Sequence, residues 1–260
     1  MAIQLNTSTF INQNTQYGAL PYEFIMANAN SATTAATVNC GSTTMQRINT
    51  PFTMPSSFGT GVTGGILTQC HMMTNLVNCT MMACLEYNLG SINLATGTFT
   101  DGVTMPTKLV AGVSKQTASF IPVMVVNATL TATTPTITVT YKNQAGTNSR
   151  SAALVLPTNT AINSAFNIAP HLQGTDTGIQ DVTNITKSAG TVGTINVYGL
   201  LPLAIATFGN SQSIISNFDQ MTVPLYPYRC EASENIAFYS MGVTTALASV
   251  AASLNFIADN

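Results

Sequence analysis

The stretch "TITVTYKNQAGTNSRSAAL", residues 136–154, determines the predicted fold class of this chain. In its first half Ile137, Val139 and Tyr141 alternate with threonines, which is the two-residue period of a β-strand with one buried face. The turn signal Ala145-Gly146-Thr147-Asn148 comes next, and "RSAAL" follows it with the length of a second strand. The pattern predicts a β-hairpin.

Further segments of strand length lie on both sides of this hairpin. They are "SFIPVMVVNATLTA" (119–132), "RSAALVLP" (150–157), "DVTNITKS" (181–188), "TVGTINVYGLLPLAIATF" (191–208), a run through Ile236, Phe238 and Tyr239, and "ASLNFIAD" (252–259). Short strands separated by turns are typical of β-sandwiches and jelly rolls. We therefore predict an all-β protein with a β-sandwich or jelly-roll-like domain over 66–260, its clearest strands lying in 106–260.

Three segments have a less uniform pattern. "QCHMMTNLVN" (69–78) fits either a strand or helical turns, and "TNTAINSAF" (158–166) is expected to form a helical turn. "GSINLATGTFTDG" (90–102) predicts hairpin-like turns at its glycines.

Residues 1–65 show little sustained period and are rich in Ser, Thr, Asn, Gly and Pro. We expect an extended, largely irregular N-terminal arm that lies over a neighbouring subunit in an assembly. Within it "ALPYEFIMA" (19–27) is the apolar anchor. The glycine-rich "GTGVTGG" (59–65) lacks the lysine of a phosphate-binding loop and is expected to be a flexible hinge or a tight passage of backbone.

The composition is unusual in one respect, because only 6% of the residues are charged, against about 25% in an average soluble domain. The net charge is −2 and the seven basic residues are scattered, so no nucleic-acid partner is expected. No run of about 18 apolar residues occurs, so no membrane span is expected. The first residues lack a secretory pattern, so no signal peptide is expected.

Cysteine usage favours buried, reduced thiols. The five cysteines, an odd number, are Cys40, Cys70, Cys79, Cys84 and Cys230. Cys70, His71 and Cys79 lack a fourth nearby ligand, so no zinc site is predicted. The methionine cluster at 72, 73, 81 and 82 is expected to fill the core.

The two histidines, His71 and His171, have no acidic residue close in sequence, and His71 is expected to be a buried imidazole. Asp176 and Asp181 in "TDTGIQD" (175–181) are expected to accept backbone N–H bonds in a turn, with a calcium site as the alternative.

Glu231 and Glu234 are spaced as a carboxylate pair of the kind that glycoside hydrolysis needs, but a cap or an ion pair with Arg229 is favoured. No nucleophile elbow, phosphate-binding loop, dinucleotide fingerprint or zinc-protease motif occurs in the sequence. We therefore predict no catalytic, cofactor-binding or metal-binding residues and no enzymatic activity.

Four segments, taken in order, resemble structural proteins of tailed-bacteriophage virions. They are "TITVTYKNQAGTNSRSAALVLP" (136–157), "GIQDVTNITKSAGTVGTINVYGLLPLA" (178–204), "LYPYRCEASENIAFYSMG" (225–242) and "ASLNFIAD" (252–259), so the resemblance covers roughly 120–260. It implies a β-sandwich subunit at the head shell, of the cement or decoration type and often trimeric. The implied partners are the major capsid protein and copies of itself, in a virion assembled in the host cytoplasm. The pattern carries no catalytic residues.

The low charge agrees with this role, because Thr and Asn can pack against many neighbours without burying an unpaired charge. A tail or baseplate subunit is the nearest alternative. A carbohydrate-binding module is a further one, with Tyr226 and Tyr228 as its aromatic cluster, although the chain has no Trp and only 8 Tyr. A Glu231–Glu234 pair in a cleft would favour an enzyme.

Overall fold

The structure is a computed structural model, and it describes part of the 260-residue chain. The described residues are 2–5, 9–14, 22–29, 45–47, 52–53, 64–74, 79–102, 120–131, 133–160, 162–189, 192–208, 216–219, 229–231, 234–242 and 250–259. For the described residues within 2–29, 52–74, 216–231 and 250–259 the backbone alone is described.

The described residues form strands, turns and one 3-10 turn at Ala169–His171. The strands are β1 (Ala2–Leu5), β2 (Thr9–Asn14), β3 (Tyr22–Ala29), β4 (Met45–Arg47), β5 (Phe52–Thr53), β6 (Gly64–Thr74), β7 (Cys79–Asn93), β8 (Thr98–Asp101), β9 (Ile121–Ala128), β10 (Thr136–Asn143), β11 (Arg150–Val155), β12 (Ser164–Asn167), β13 (Ile179–Lys187), β14 (Thr194–Phe208), β15 (Ser216–Asp219), β16 (Arg229–Glu231), β17 (Asn235–Gly242) and β18 (Val250–Asp259). The predicted all-β class is confirmed.

The chain divides into two compact units. Unit 1 comprises Met1–Thr43, Ile48–Leu85 and Pro202–Asn260, and unit 2 comprises Thr44–Arg47 and Glu86–Leu201. The predicted division of the chain into an arm at 1–65 and a domain at 66–260 stays a prediction. Five strands, β1 to β5, and the start of β6 lie within the predicted arm.

Unit 1 contains a seven-stranded sheet with the order β1-β2-β3-β18-β6-β15, in which β16 also pairs with β6. β18 lies between β3 and β6 and runs antiparallel to both. The predicted final strand is therefore confirmed, and the ambiguous segment at 69–78 contributes to strand β6. The apolar anchor of the predicted arm contributes to β3.

Unit 2 contains a three-stranded antiparallel sheet with the order β11-β10-β13. β10 and β11 form the predicted hairpin, with Val139 opposite Ala152. Along β10 every second residue from Ile137 to Asn143 is buried, while Thr136 and its alternate neighbours are half-buried. The alternation predicted from the sequence is confirmed.

Within unit 2, β4-β12-β9-β14-β7-β8 are successive neighbours in a second sheet, and in unit 1 β5 pairs antiparallel with β17. β12 pairs antiparallel with β9, Phe166 lying opposite Met124. The helical turn predicted at 158–166 is therefore wrong at its end, because pairing between β12 and β9 replaces the local bonds of a turn. The predicted hairpin at 90–102 is confirmed as β7 and β8, with Gly97 in the left-handed conformation that its turn needs.

The core of unit 2 lies between these two sheets. A methyl group on Gly90 of β7 would lie 3.5 Å from Val182 of β13, so the two sheets are in contact. At Gly199 of β14 a side chain would come within 2.8 Å of the buried Phe120 ring, so the absence of a side chain permits that close approach. This packing of two antiparallel sheets is a β-sandwich.

Candidate functional site

A connected group of polar side chains surrounds Asp176, and we call it the Asp176 cluster. Its members are Tyr141, Asn143, Arg150, Gln173 and Asp176. β10 contributes the first two residues from its buried face, and β11 contributes Arg150 at its first position. The loop before β13 contributes the other two. The cluster lies where the hairpin turn and this loop meet.

The Asp176 carboxylate accepts three hydrogen bonds. Tyr141 Oη donates to Oδ2 at 2.7 Å, Arg150 Nε donates to Oδ2 at 2.8 Å, and Asn143 Nδ2 donates to Oδ1 at 2.9 Å. Both carboxylate oxygens are thus engaged. The side chain of Asp176 is 4% exposed and that of Arg150 is 26% exposed.

The same side chains hold the backbone on both sides of the carboxylate. The Gln173 N–H donates to Tyr141 Oη at 2.8 Å, and Arg150 Nη2 donates to the Gln173 carbonyl at 2.8 Å. Asn143 Oδ1 accepts the N–H groups of Ala145 and Thr147 in the hairpin turn. The cluster therefore fastens the loop and the turn to the end of the three-stranded sheet.

The protonation states are set by these contacts. The hydrogen bond from Arg150, with help from Tyr141 and Asn143, lowers the pKa of Asp176 from 3.8 to about 2, although desolvation opposes the shift. Burial, followed by the hydrogen bond to Asp176, raises the pKa of Tyr141. At neutral pH Asp176 is ionised and Tyr141 is neutral. A carboxylate with this pKa, held by three side-chain hydrogen bonds, suits a structural role better than acid–base catalysis.

The expectation of turn chemistry at the two aspartates holds for one of them. Asp181 Oδ1 accepts the backbone N–H of Val182 at 2.8 Å, so the prediction for Asp181 is confirmed. For Asp176 it is wrong, because the three donors to its carboxylate are the side chains of Tyr141, Asn143 and Arg150 and not backbone N–H groups.

A second charged pair in unit 2, Arg47 and Glu86, is enclosed by the protein. Arg47 Nε donates to Glu86 Oε2 at 2.9 Å and Nη2 donates to Oε1, with the side chains 8% and 1% exposed. The guanidinium lies over the Tyr198 ring, 5.0 Å from its centroid. The pair joins the short strand β4 to β7, and this bidentate geometry is the strong form of an arginine–carboxylate contact.

The other residues considered from the sequence have separate places. His171 is exposed in the 3-10 turn. Glu234 is buried, and its proposed partners Glu231 and Arg229 have side chains outside the described residues. Cys84 is a buried thiol outside any disulfide, as predicted, and its Sγ lies 3.5 Å from the Ala237 carbonyl oxygen.

Several sequence predictions lie outside the described residues and are therefore unanswered. They concern the side chains of Cys40, Cys70, His71, Met72, Met73, Cys79, Met81 and Cys230, the tyrosines Tyr226 and Tyr228, and residues 59–63. Within the described ranges no three His, Cys, Asp or Glu residues come together to hold a metal ion. No helix among the same residues is long and apolar enough to cross a membrane.

The outward side of the three-stranded sheet bears a set of small uncharged side chains, which we call the threonine face. Its members are Thr136, Thr138, Thr140, Ser151, Ala153, Val155, Asn184 and Thr186, all half-buried or exposed. The strand register places Ala153, Thr138 and Thr186 in one row across the sheet. Charge begins only at the end nearest the Asp176 cluster, where Lys142 lies opposite Asp181.

Sequence reasoning missed the roles of Tyr141, Arg150, Arg47 and Glu86. Arg150 precedes Asp176 by 26 positions, and Arg47 precedes Glu86 by 39 positions. The alternation along β10 did place Tyr141 on the buried side, where its hydroxyl needs a partner. That was the available signal for the Asp176 cluster.

Comparisons with known proteins identify no family for this chain. No protein-family model matches the chain, and no curated protein sequence matches it. Among solved structures, the chain is similar to the VP2 subviral particle of infectious bursal disease virus, with 10% sequence identity and a TM-score of 0.20. The likeness covers 99% of this chain and 83% of that one, and at this TM-score it carries no conclusion about fold or function.

Proposed function

We propose that this chain is a non-enzymatic structural subunit of a virus particle, and more narrowly a cement or decoration protein of a tailed-bacteriophage head. The observation that carries the proposal is the threonine face, a sheet surface with no charged residue from Thr136 to Thr140 and across the neighbouring strands. Such a face can be covered by another protein without the cost of burying a charge.

The use of charge inside unit 2 supports the same proposal. Both arginines whose side chains the structure describes are paired with carboxylates of the same unit. In a chain with only 6% charged residues this leaves few charges to keep neighbours apart. The resemblance of residues 120–260 to phage virion proteins supplies the particle type.

In this role the chain acts by adhesion. Each contact with the major capsid protein adds free energy that must be overcome before shell subunits separate under the pressure of the packaged genome. Assembly on the shell would take place in the host cytoplasm, and the finished protein would reside in the virion.

Binding to isolated head shells tests the proposal. We expect purified protein to sediment with shells that lack it, to saturate at a fixed ratio to the major capsid protein, and to raise the temperature at which the shells open. Thr138→Lys, which places a charge at the centre of the threonine face, should weaken this binding, while Lys142→Thr, at the edge of that face, should not. Protein that stays in the supernatant at every ratio would refute a head role, and sedimentation with isolated tails instead would identify a tail subunit.

A further inference from the structure

Strand β11 is an edge strand of the three-stranded sheet and can pair with a further strand through its outward backbone groups. Within the described residues β11 pairs with β10 alone, so its other side is an edge. Edge strands commonly carry lysine, proline or a bulge that prevents further pairing. From Ser151 to Val155 this edge has none of them, and its sequence is Ser-Ala-Ala-Leu-Val.

Two hydrogen bonds show which backbone groups point outward. The Leu156 N–H donates to the Pro135 carbonyl on the β10 side at 3.0 Å, so the even-numbered residues direct their backbone groups toward β10. The Ser151 N–H, pointing the other way, donates to Gln173 Oε1 at 3.2 Å. By the alternation of an antiparallel strand, the N–H and C=O groups of Ala153 and Val155 also point away from β10.

The side chains at this edge are apolar and accessible. Val155 is 61% exposed, Ala153 is exposed, and Leu154 is half-buried although it lies on the inner side of the sheet. An apolar edge strand with open backbone groups is a template for pairing with another strand.

We propose that β11 pairs with β11 of a second copy of this chain, antiparallel and with the two-fold axis at Leu154. This register places Ala153 opposite Val155 of the other copy and Val155 opposite its Ala153. Each opposed pair exchanges two hydrogen bonds, so four bonds use the four outward groups of each strand's Ala153 and Val155. The two three-stranded sheets become one six-stranded sheet.

The charges near β11 and the loop that carries Gln173 are compatible with a second copy of this chain in the proposed register. The register sets Ser151 opposite Pro157, which has no N–H to donate to the Ser151 carbonyl. The Ser151 N–H already donates to Gln173 Oε1, so the pairing ends before Ser151 and this bond is kept. Arg150 meets no arginine across the axis and stays paired with Asp176. The two Leu154 side chains come close together at the axis and become more buried. This proposal does not depend on a role in a virus particle.

Ala153→Pro tests the pairing with little harm to the hairpin, because the lost N–H points away from β10 and proline is tolerated at such edge positions. Light scattering over a concentration series should show dimers for the unaltered chain. Ala153→Pro should raise the dissociation constant about tenfold or more, since two of the four bonds are lost per dimer. Circular dichroism should be unchanged.

Cysteine cross-linking tests the register. An oxidised mixture of Ala153→Cys and Val155→Cys chains should give a disulfide-linked heterodimer, because the Cα atoms of a hydrogen-bonded pair lie about 5.5 Å apart, within disulfide range. Asn184→Cys, an exposed site on the other outer strand of the sheet, is the matched control and should stay monomeric on a non-reducing gel, as should the unaltered chain.

A monomeric unaltered chain at all concentrations would overturn the proposal, as would dimers that persist in Ala153→Pro or a heterodimer band no stronger than the Asn184→Cys background. These outcomes are separate from shell binding, which a monomer could still show. Failure of shell binding with intact cross-linking would in turn refute the head role alone.

Discussion

The two arginine–carboxylate pairs of unit 2 are alike in chemistry and differ in surroundings. Arg47 and Glu86 are enclosed by the protein, with side chains 8% and 1% exposed, and join two strands. Arg150 is 26% exposed, and its partner Asp176 belongs to a loop. The enclosed pair is part of the packing between strands, whereas the second pair fastens a loop to a finished sheet.

The difference shows that the two ion pairs of this weakly charged protein contribute to its stability in different ways. A buried pair contributes little net stability compared with apolar residues of the same shape, but loss of one partner is expensive. A partly exposed pair is screened by solvent, and its value here lies in the hydrogen bonds that position Gln173. The following predictions test this contrast, from the largest effect to the smallest.

Glu86→Gln should have the largest effect. It removes the carboxylate charge that pairs with the buried Arg47 guanidinium, so the free energy of unfolding should fall by about 3–5 kcal/mol. Guanidinium chloride denaturation followed by fluorescence measures the change. The double variant Arg47→Met/Glu86→Leu is the control and should lose less than either single variant. A single-variant loss below about 1 kcal/mol would show that this pair is not enclosed.

Tyr141→Phe should cost less, about 1 kcal/mol, because it removes one hydroxyl from the Asp176 cluster. The local effect should be larger than the global one. The Gln173 N–H donates to this hydroxyl, so its hydrogen exchange should become faster. Tyr198→Phe removes a hydroxyl that accepts from Asn196 and should leave Gln173 unchanged. Equal exchange of Gln173 in both variants would contradict the role given to Tyr141.

The pH dependence of stability should separate the two sites further. The pKa of Asp176 is lowered from 3.8 to about 2, so its contribution is complete above about pH 4 and is lost as the pH falls toward 2. Urea unfolding from pH 2 to pH 6 should show the unaltered chain more stable than Asp176→Asn at pH 6. The two curves should converge near pH 2. A constant gap would mean that the carboxylate charge contributes nothing.

Thr138→Lys should have the smallest effect on the isolated chain, within about 0.5 kcal/mol in the free energy of unfolding. Thr138 is half-buried on the threonine face, where a lysine side chain can extend into solvent. Thermal unfolding measures the change, with Thr138→Ser as the matched control. A large loss would show that the threonine face is already covered within the free protein.

Sequence reasoning could predict the strands because their signal is local. The alternation from Ile137 to Tyr141 gave the face of β10 that is buried, and the turn signal gave the β11 pairing. It could not predict that Ser164–Asn167 is a strand, because that choice depends on β9, which lies elsewhere in the chain. Local preference favoured a turn, and tertiary pairing overrode it.

The polar sites were harder to predict, for a related reason. Asp176 was singled out for its loop position, yet its donors lie on β10 and β11. Arg47 lies in a stretch with little periodicity, so no pattern linked it to Glu86. Sequence spacing can reveal two interacting residues when both lie on the same strand or helix. The partners of Asp176 and of Arg47 lie on other elements of the fold, so spacing could not reveal them.

The position of β18 has a consequence for the order of folding during synthesis. The strands of unit 2 have all been made once Phe208, the last residue of β14, has left the ribosome. β3 and β6 of unit 1 must wait for β18, which lies between them in the sheet and is synthesised after both. We expect unit 2 to fold first, while the waiting edges of β3 and β6 are the part of the nascent chain most prone to aggregate and most in need of a chaperone.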